Sequence, residues 1–106
     1  MAISAPLRVT VELRLLEGPA SGQRRFRLCR AVELPPRLRF EAGLPLEGQA
    51  RGEAAFSLPD GQALRGRALL TFDPEHPERG SEAELVDLDQ EALAALQTYI
   101  EQRTQP

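Results

Sequence analysis

Six arginines, Arg24, Arg25, Arg27, Arg30, Arg37 and Arg39, fall within sixteen consecutive residues and are opposed there only by Glu33. A guanidinium group is planar, permanently charged and donates hydrogen bonds in a fork, so such a cluster suits an anion: a phosphate, a carboxylate or a nucleotide edge. The same spacing also suits a solvated strand face, because Arg25 and Arg27 alternate with Phe26 and Leu28. Other chemistry is thinner. His76 is the sole histidine and stands in a polar, proline-flanked stretch, with no nucleophile or orienting group at a useful spacing. Cys29 is the sole cysteine, so the chain has too few nitrogen and sulfur ligands for zinc and cannot form an internal disulfide. Glu82, Glu84, Asp87, Asp89 and Glu91 form an acidic run without a calcium-loop pattern, which reads as a solvated edge. The eight glycines are scattered singly, so no phosphate-cradling loop is present. These residues predict no enzyme, no metal and no resident cofactor.

The balance of charge narrows the partners. Residues 1–67 hold eleven Arg against seven acids, and residues 68–106 hold two Arg against nine, which gives +4 and −7 and a net charge of −3. An acidic chain with five aromatic residues and no basic-aromatic interleaving is not expected to bind nucleic-acid polymers. No apolar run approaches the roughly 20 residues that span a bilayer, and Met1–Pro6 lacks the basic start and apolar stretch of a signal peptide. A cytoplasmic location without membrane insertion is the expectation. At 106 residues, 42% of them apolar, the chain is expected to form one domain, 1–106, with a modest core of Leu, Val and Ala.

The elements that must position the arginines follow from periodicity. Val9, Val11, Leu13 and Leu15 alternate with Thr10, Glu12 and Arg14, which predicts a half-buried strand over 8–16. Glu17 to Gly22 is turn-rich. A second strand is predicted over 24–34, with Phe26, Leu28, Val32 and Leu34 inward. Arg30 intrudes on that face and must snorkel, pair with an acid or sit at a bulge. Cys29 then falls on the Arg25/Arg27 side as a small, half-buried residue. Pro35-Pro36 ends the strand. Further strands are predicted over 37–41 (Leu38, Phe40 inward), 51–58 (Ala54, Phe56, Leu58), 63–72 (Leu64, Gly66, Ala68, Leu70, Phe72) and 82–88. Leu69 faces the other way, a position for the terminal helix to cover. Asp89 reads as an N-cap, Leu88 and Leu93 stand at hydrophobic-staple spacing, and Leu93, Leu96 and Ile100 form a helical stripe supported by Ala92 and Tyr99. The pattern predicts a mostly β protein: a small six-stranded antiparallel barrel over about 8–88 with a C-terminal helix over about 90–103.

The order of these elements, the Leu38-Arg39-Phe40 step, the Gly48 turn, the Leu58-Pro59-Asp60-Gly61 hairpin and the closing Leu/Tyr/Ile helix together resemble the PilZ domain family across Arg8 to Arg103. The resemblance implies a bacterial signalling barrel of the kind known for binding cyclic di-GMP. Two motifs with which that family grips the nucleotide are absent. Before the first predicted strand there is only Arg8, with no arginine four residues to either side. In Val32–Leu38, Glu33 stands where the family has Asp or Asn, Pro35 where it has Ser, and Arg37 or Leu38 where it has Gly. Proline has neither a hydroxyl nor an amide donor, and a side chain in place of Gly blocks close backbone approach. The resemblance therefore implies a degenerate, non-catalytic adaptor that works by protein–protein contact. The alternative is a cyclic di-GMP receptor with a rearranged set drawn from Arg8, Arg24, Arg25 and Arg37. The partner and the oligomeric state stay open.

Overall fold

The computed structural model describes residues 3–104. Met1 and Ala2, with which the N-terminal reading begins, and the last two residues of the expected 1–106 domain lie outside the described residues. The chain runs β1 (Ile3–Pro6), β2 (Thr10–Leu15), β3 (Arg24–Leu34), β4 (Arg37–Phe40), β5 (Gly48–Ser57), β6 (Ala63–Phe72), a short 3-10 turn (Pro77–Arg79), β7 (Ser81–Asp87) and α1 (Gln90–Thr104). Six strands close on themselves in the order β3-β2-β5-β6-β7-β4 and back to β3, every pair antiparallel. The predicted six-stranded barrel with a C-terminal helix is therefore the observed fold. The seventh strand, β1, lies beside the end of β3 and was not expected from the sequence.

Alternation fills the barrel. Val11, Leu13 and Leu15 of β2 are buried, as are Ala54 and Phe56 of β5, Leu64, Ala68 and Leu70 of β6, Ala83 and Leu85 of β7, and Leu38 and Phe40 of β4. Large residues sit across from small ones: Leu13 opposite Ala54, and Leu70 opposite Ala50 and Ala83. That mixing lets side chains of the facing strands fill the interior of a narrow barrel.

Both ends of the barrel are closed. Asp89 caps α1, its carboxylate accepting the Ala92 amide at 2.7 Å. Ala92, Leu96 and Ile100, four residues apart, are buried on one face of α1. The helix packs chiefly on β1 and β3, and the Tyr99 hydroxyl donates to the Pro6 carbonyl at 2.7 Å. At the opposite end the segment after β4 crosses the mouth. Ser81 Oγ donates to the Ala42 carbonyl at 2.7 Å. Gly43 lies against the Phe72 ring on β6, and its carbonyl accepts from Arg27 of β3 at 2.8 Å. Since β6 lies across the barrel from β3, this loop spans the opening, with Leu44 buried beneath it.

Three sequence expectations need correction. Phe26 and Leu28 point outward, 64% and 55% exposed. The sheet register shifts between Cys29 and Ala31, so Arg30 is the extra residue of a bulge, and a bulge resets the phase of everything before it. Cys29 and Val32, three apart, are therefore both fully buried, and Cys29 is not the half-buried residue expected. Leu69 is flanked across the sheet by Arg51 and Glu84, at the end of β6 remote from α1.

Candidate functional site

The phase reset determines where the arginines go. Cross-strand partners share a face, and Arg25 pairs with Leu13 and Arg27 with Val11, both core residues. Arg25 and Arg27 thus stand on the inward face at the barrel's rim, half-buried, where their aliphatic stems extend the core and their charged heads must turn away from it. The heads turn toward the strand edge. Arg27 Nη1 donates to the Phe26 carbonyl at 3.0 Å while Nε holds Gly43, and Arg25 Nη1 donates to the Arg24 carbonyl at 3.0 Å while Nη2 bonds the Gln23 side chain. Arg30 projects into solvent from the bulge.

The remaining arginines are spread around the barrel. Arg24 lies on the outer face, its Nε 3.5 Å from Glu12, beside the Arg14–Glu53 pair at 3.9 Å. Arg37 starts β4 and is held 3.1 Å from Glu82. Arg39 bonds Glu33. Arg8 is exposed in the connection from β1 to β2, next to Leu7, whose amide reaches the Arg30 carbonyl at 3.2 Å. Arg37 pairs across the sheet with Glu33, nine residues along β3 from Arg24, which at the rise of an extended strand is roughly 30 Å. The structure thus brings Arg24 and Arg25 to one end of the barrel, Arg37 to the other and Arg8 between them.

Other candidates are weak. His76 is exposed, with Nδ1 3.4 Å from Glu78. Among the described residues no group of three or more metal-ligating side chains comes together, and within the acidic run Asp87 is paired to Arg67 at 2.8 Å and Asp89 caps the helix. A groove of about 400 Å³ runs between α1 and the β5–β6 turn, lined by Pro59, Gln62, Ala95, Thr98 and Tyr99, with Arg103 stacked 5.2 Å over the Tyr99 ring. Burial pushes the Cys29 thiol up to about 11 from an ordinary value of 9.0, so it is an inert core residue rather than a nucleophile. A thiol reagent at pH 8 should leave the native chain unmodified and label it only on unfolding. The sign of the pH effect follows. The unfolded thiol ionises first, so stability from this group is complete below pH 9 and declines by roughly 2–3 kcal/mol between pH 9 and 11. Urea titrations of Cys29→Ala at pH 8 and pH 10 should show a smaller decline than the parent chain. An equal decline would place the thiol in contact with water.

What sequence reasoning missed is the exposed pair Phe26 and Leu28. The signal was present: an arginine at a core-phase position marks a bulge, and the phase of residues 24–28 should have been reversed on that account.

No family model, curated protein or solved structure matches this chain. Among the described residues, no helix is long and apolar enough to cross a membrane.

Proposed function

We propose that this chain is a non-catalytic, PilZ-like signalling adaptor that acts by protein–protein contact and does not grip cyclic di-GMP in the usual way. The observation that carries this reading is the state of the Val32–Leu38 hairpin. Its turn is Pro35-Pro36, which has no amide or hydroxyl to donate. Its one acid, Glu33, is engaged by Arg39. The other flank of the hairpin's first strand is paired with β1, Ile3 with Leu34 and Ser4 with Glu33. The filled barrel interior supports a surface role in the same direction, as does the spread of Arg8, Arg24, Arg25 and Arg37 over the length of β3.

The test is calorimetric titration of the chain with cyclic di-GMP, in which no saturable heat is expected. Micromolar or tighter affinity, abolished in the Arg24→Ala, Arg25→Ala double variant, would replace the adaptor reading with a nucleotide receptor built on those arginines.

A further inference from the structure

We propose that the bare edge of β3, Arg24–Leu28, receives an extended acidic segment of a partner protein as an added β-strand. This inference rests on the protein-contact reading above and names its surface and its occupant. Antiparallel partners exchange backbone hydrogen bonds at alternate residues only. The Cys29 amide donates to the Val9 carbonyl at 2.8 Å and the Leu15 amide to the Gln23 carbonyl at 3.1 Å. Those bonds set the alternation, so Arg25, Arg27 and Cys29 bond toward β2 while the amides of Arg24, Phe26 and Leu28 point the other way. On that side β4 begins to pair only at Cys29, opposite Phe40. Beyond Phe40 the chain leaves the sheet to cross the barrel mouth through Gly43 and Leu44. Among the described residues, the five from Arg24 to Leu28 are therefore a strand edge with no strand beside it on that side.

An unpaired edge is a template for one more strand, and proteins usually blunt such edges when they are not used. Here the blunting is partial. Arg25 and Arg27 cover the outward carbonyls of Arg24 and Phe26 with their own guanidinium groups, and among the described residues no side chain covers the outward amides in that way. An incoming backbone amide takes over each carbonyl, and the displaced guanidinium becomes free to bind a carboxylate of the same incoming segment.

Charge selects the occupant. From Arg24 to Arg30 the strand holds four arginines and no acid. Among the described residues, Arg24 alone of these has an ion-pair partner, Glu12. A second copy of this chain is a poor fit, because antiparallel pairing of two such edges about Phe26 sets Arg25 against Arg27. An acidic strand satisfies both the backbone and the charges. Its apolar residues would lie beside Phe26 and Leu28 on the outer face, where those two side chains are exposed.

Amide exchange followed by NMR on the whole chain provides the first arm. Phe26 and Leu28 should exchange fast and Arg25, Arg27 and Cys29 slowly; slow exchange at Phe26 and Leu28 in the free chain means the edge is covered, and the proposal fails. The second arm selects ligands from a phage-displayed library of random linear peptides against the chain. Recovered peptides should be rich in Asp and Glu, should protect the Phe26 and Leu28 amides, and should bind Phe26→Pro at least about tenfold more weakly. Proline there removes an outward donor without touching a bond to β2, so the thermal transition should persist. An Arg25→Glu, Arg30→Glu variant should likewise lose acidic peptides, whichever way the proline variant folds. Peptides without acidic bias, or peptides that protect α1 in place of β3, overturn the edge assignment and leave the adaptor reading standing. Concentration-dependent protection of the edge in the free chain assigns it to a second copy and overturns the acidic partner. No peptide binding together with tight cyclic di-GMP binding overturns both readings.

Discussion

Gly80→Ala is expected to lower the folding free energy by roughly 3–5 kcal/mol, enough to leave much of a marginally stable small domain unfolded. Gly80 follows the short 3-10 turn at φ 69° and ψ −156°, a backbone region that only glycine enters without strain. A Cβ built there lies 2.0 Å from the Phe40 carbonyl oxygen and 3.1 Å from that of Glu41. Neither oxygen can retreat, because Phe40 and Ser81 form the last rung of the β4–β7 pairing that closes the barrel. Urea unfolding monitored by circular dichroism measures the loss. Gly61→Ala is the control: Gly61 also has a positive φ, 95°, but nothing lies within 4 Å of its would-be Cβ. Its loss should be about 1–2 kcal/mol, the backbone penalty alone. Equal losses at the two sites would mean that the clash at Phe40 is relieved and that the β4–β7 seam is looser than described.

Leu96→Ala should cost about 2–5 kcal/mol, the usual range for a buried leucine cut back in a close-packed core. Leu96 is 0% exposed and shares its face of α1 with Ala92 and Ile100, so truncation opens a cavity where the helix seals the barrel end. The same urea titration gives the number, with Leu93→Ala, at a half-buried position three residues earlier, expected to lose less. A loss below about half a kcal/mol would mean that α1 does not stay on the barrel in solution. The helix would then be the better partner-binding surface, since an amphipathic helix at a chain end readily enters another protein's groove.

Much of the barrel was legible in the residues. β6 was bounded correctly at Ala63–Phe72 and β3 at Arg24–Leu34 because each is framed by turn chemistry: Pro59-Asp60-Gly61 before one, Gly22 and Pro35-Pro36 around the other. The helix start was legible in Asp89, whose side chain does what an N-cap residue should. β1 was not legible. Ile3–Pro6 is short and contains a proline, and only the flank of β3 gives it a partner. The candidate site was legible in composition and misread in orientation. Arg30 in core phase marks an interruption, but the register shift that turns Phe26 and Leu28 outward is set by pairing with β4 and is not a property of β3 alone.

The sequence alone determined the six strands that close the barrel, where they turn, that a capped helix follows them, and that the Pro35-Pro36 turn has no backbone amide to donate. Each of these is a local property, set by side-chain period and by what a given residue can donate within a few neighbours. Tertiary structure decided that β4 stops short of β3's first five residues, that the loop after it dives across the mouth, and that one bulged arginine turns a phenylalanine and a leucine out to water. Those outcomes depend on which strands meet and in what register, and pairing of that kind is settled between residues far apart in the chain.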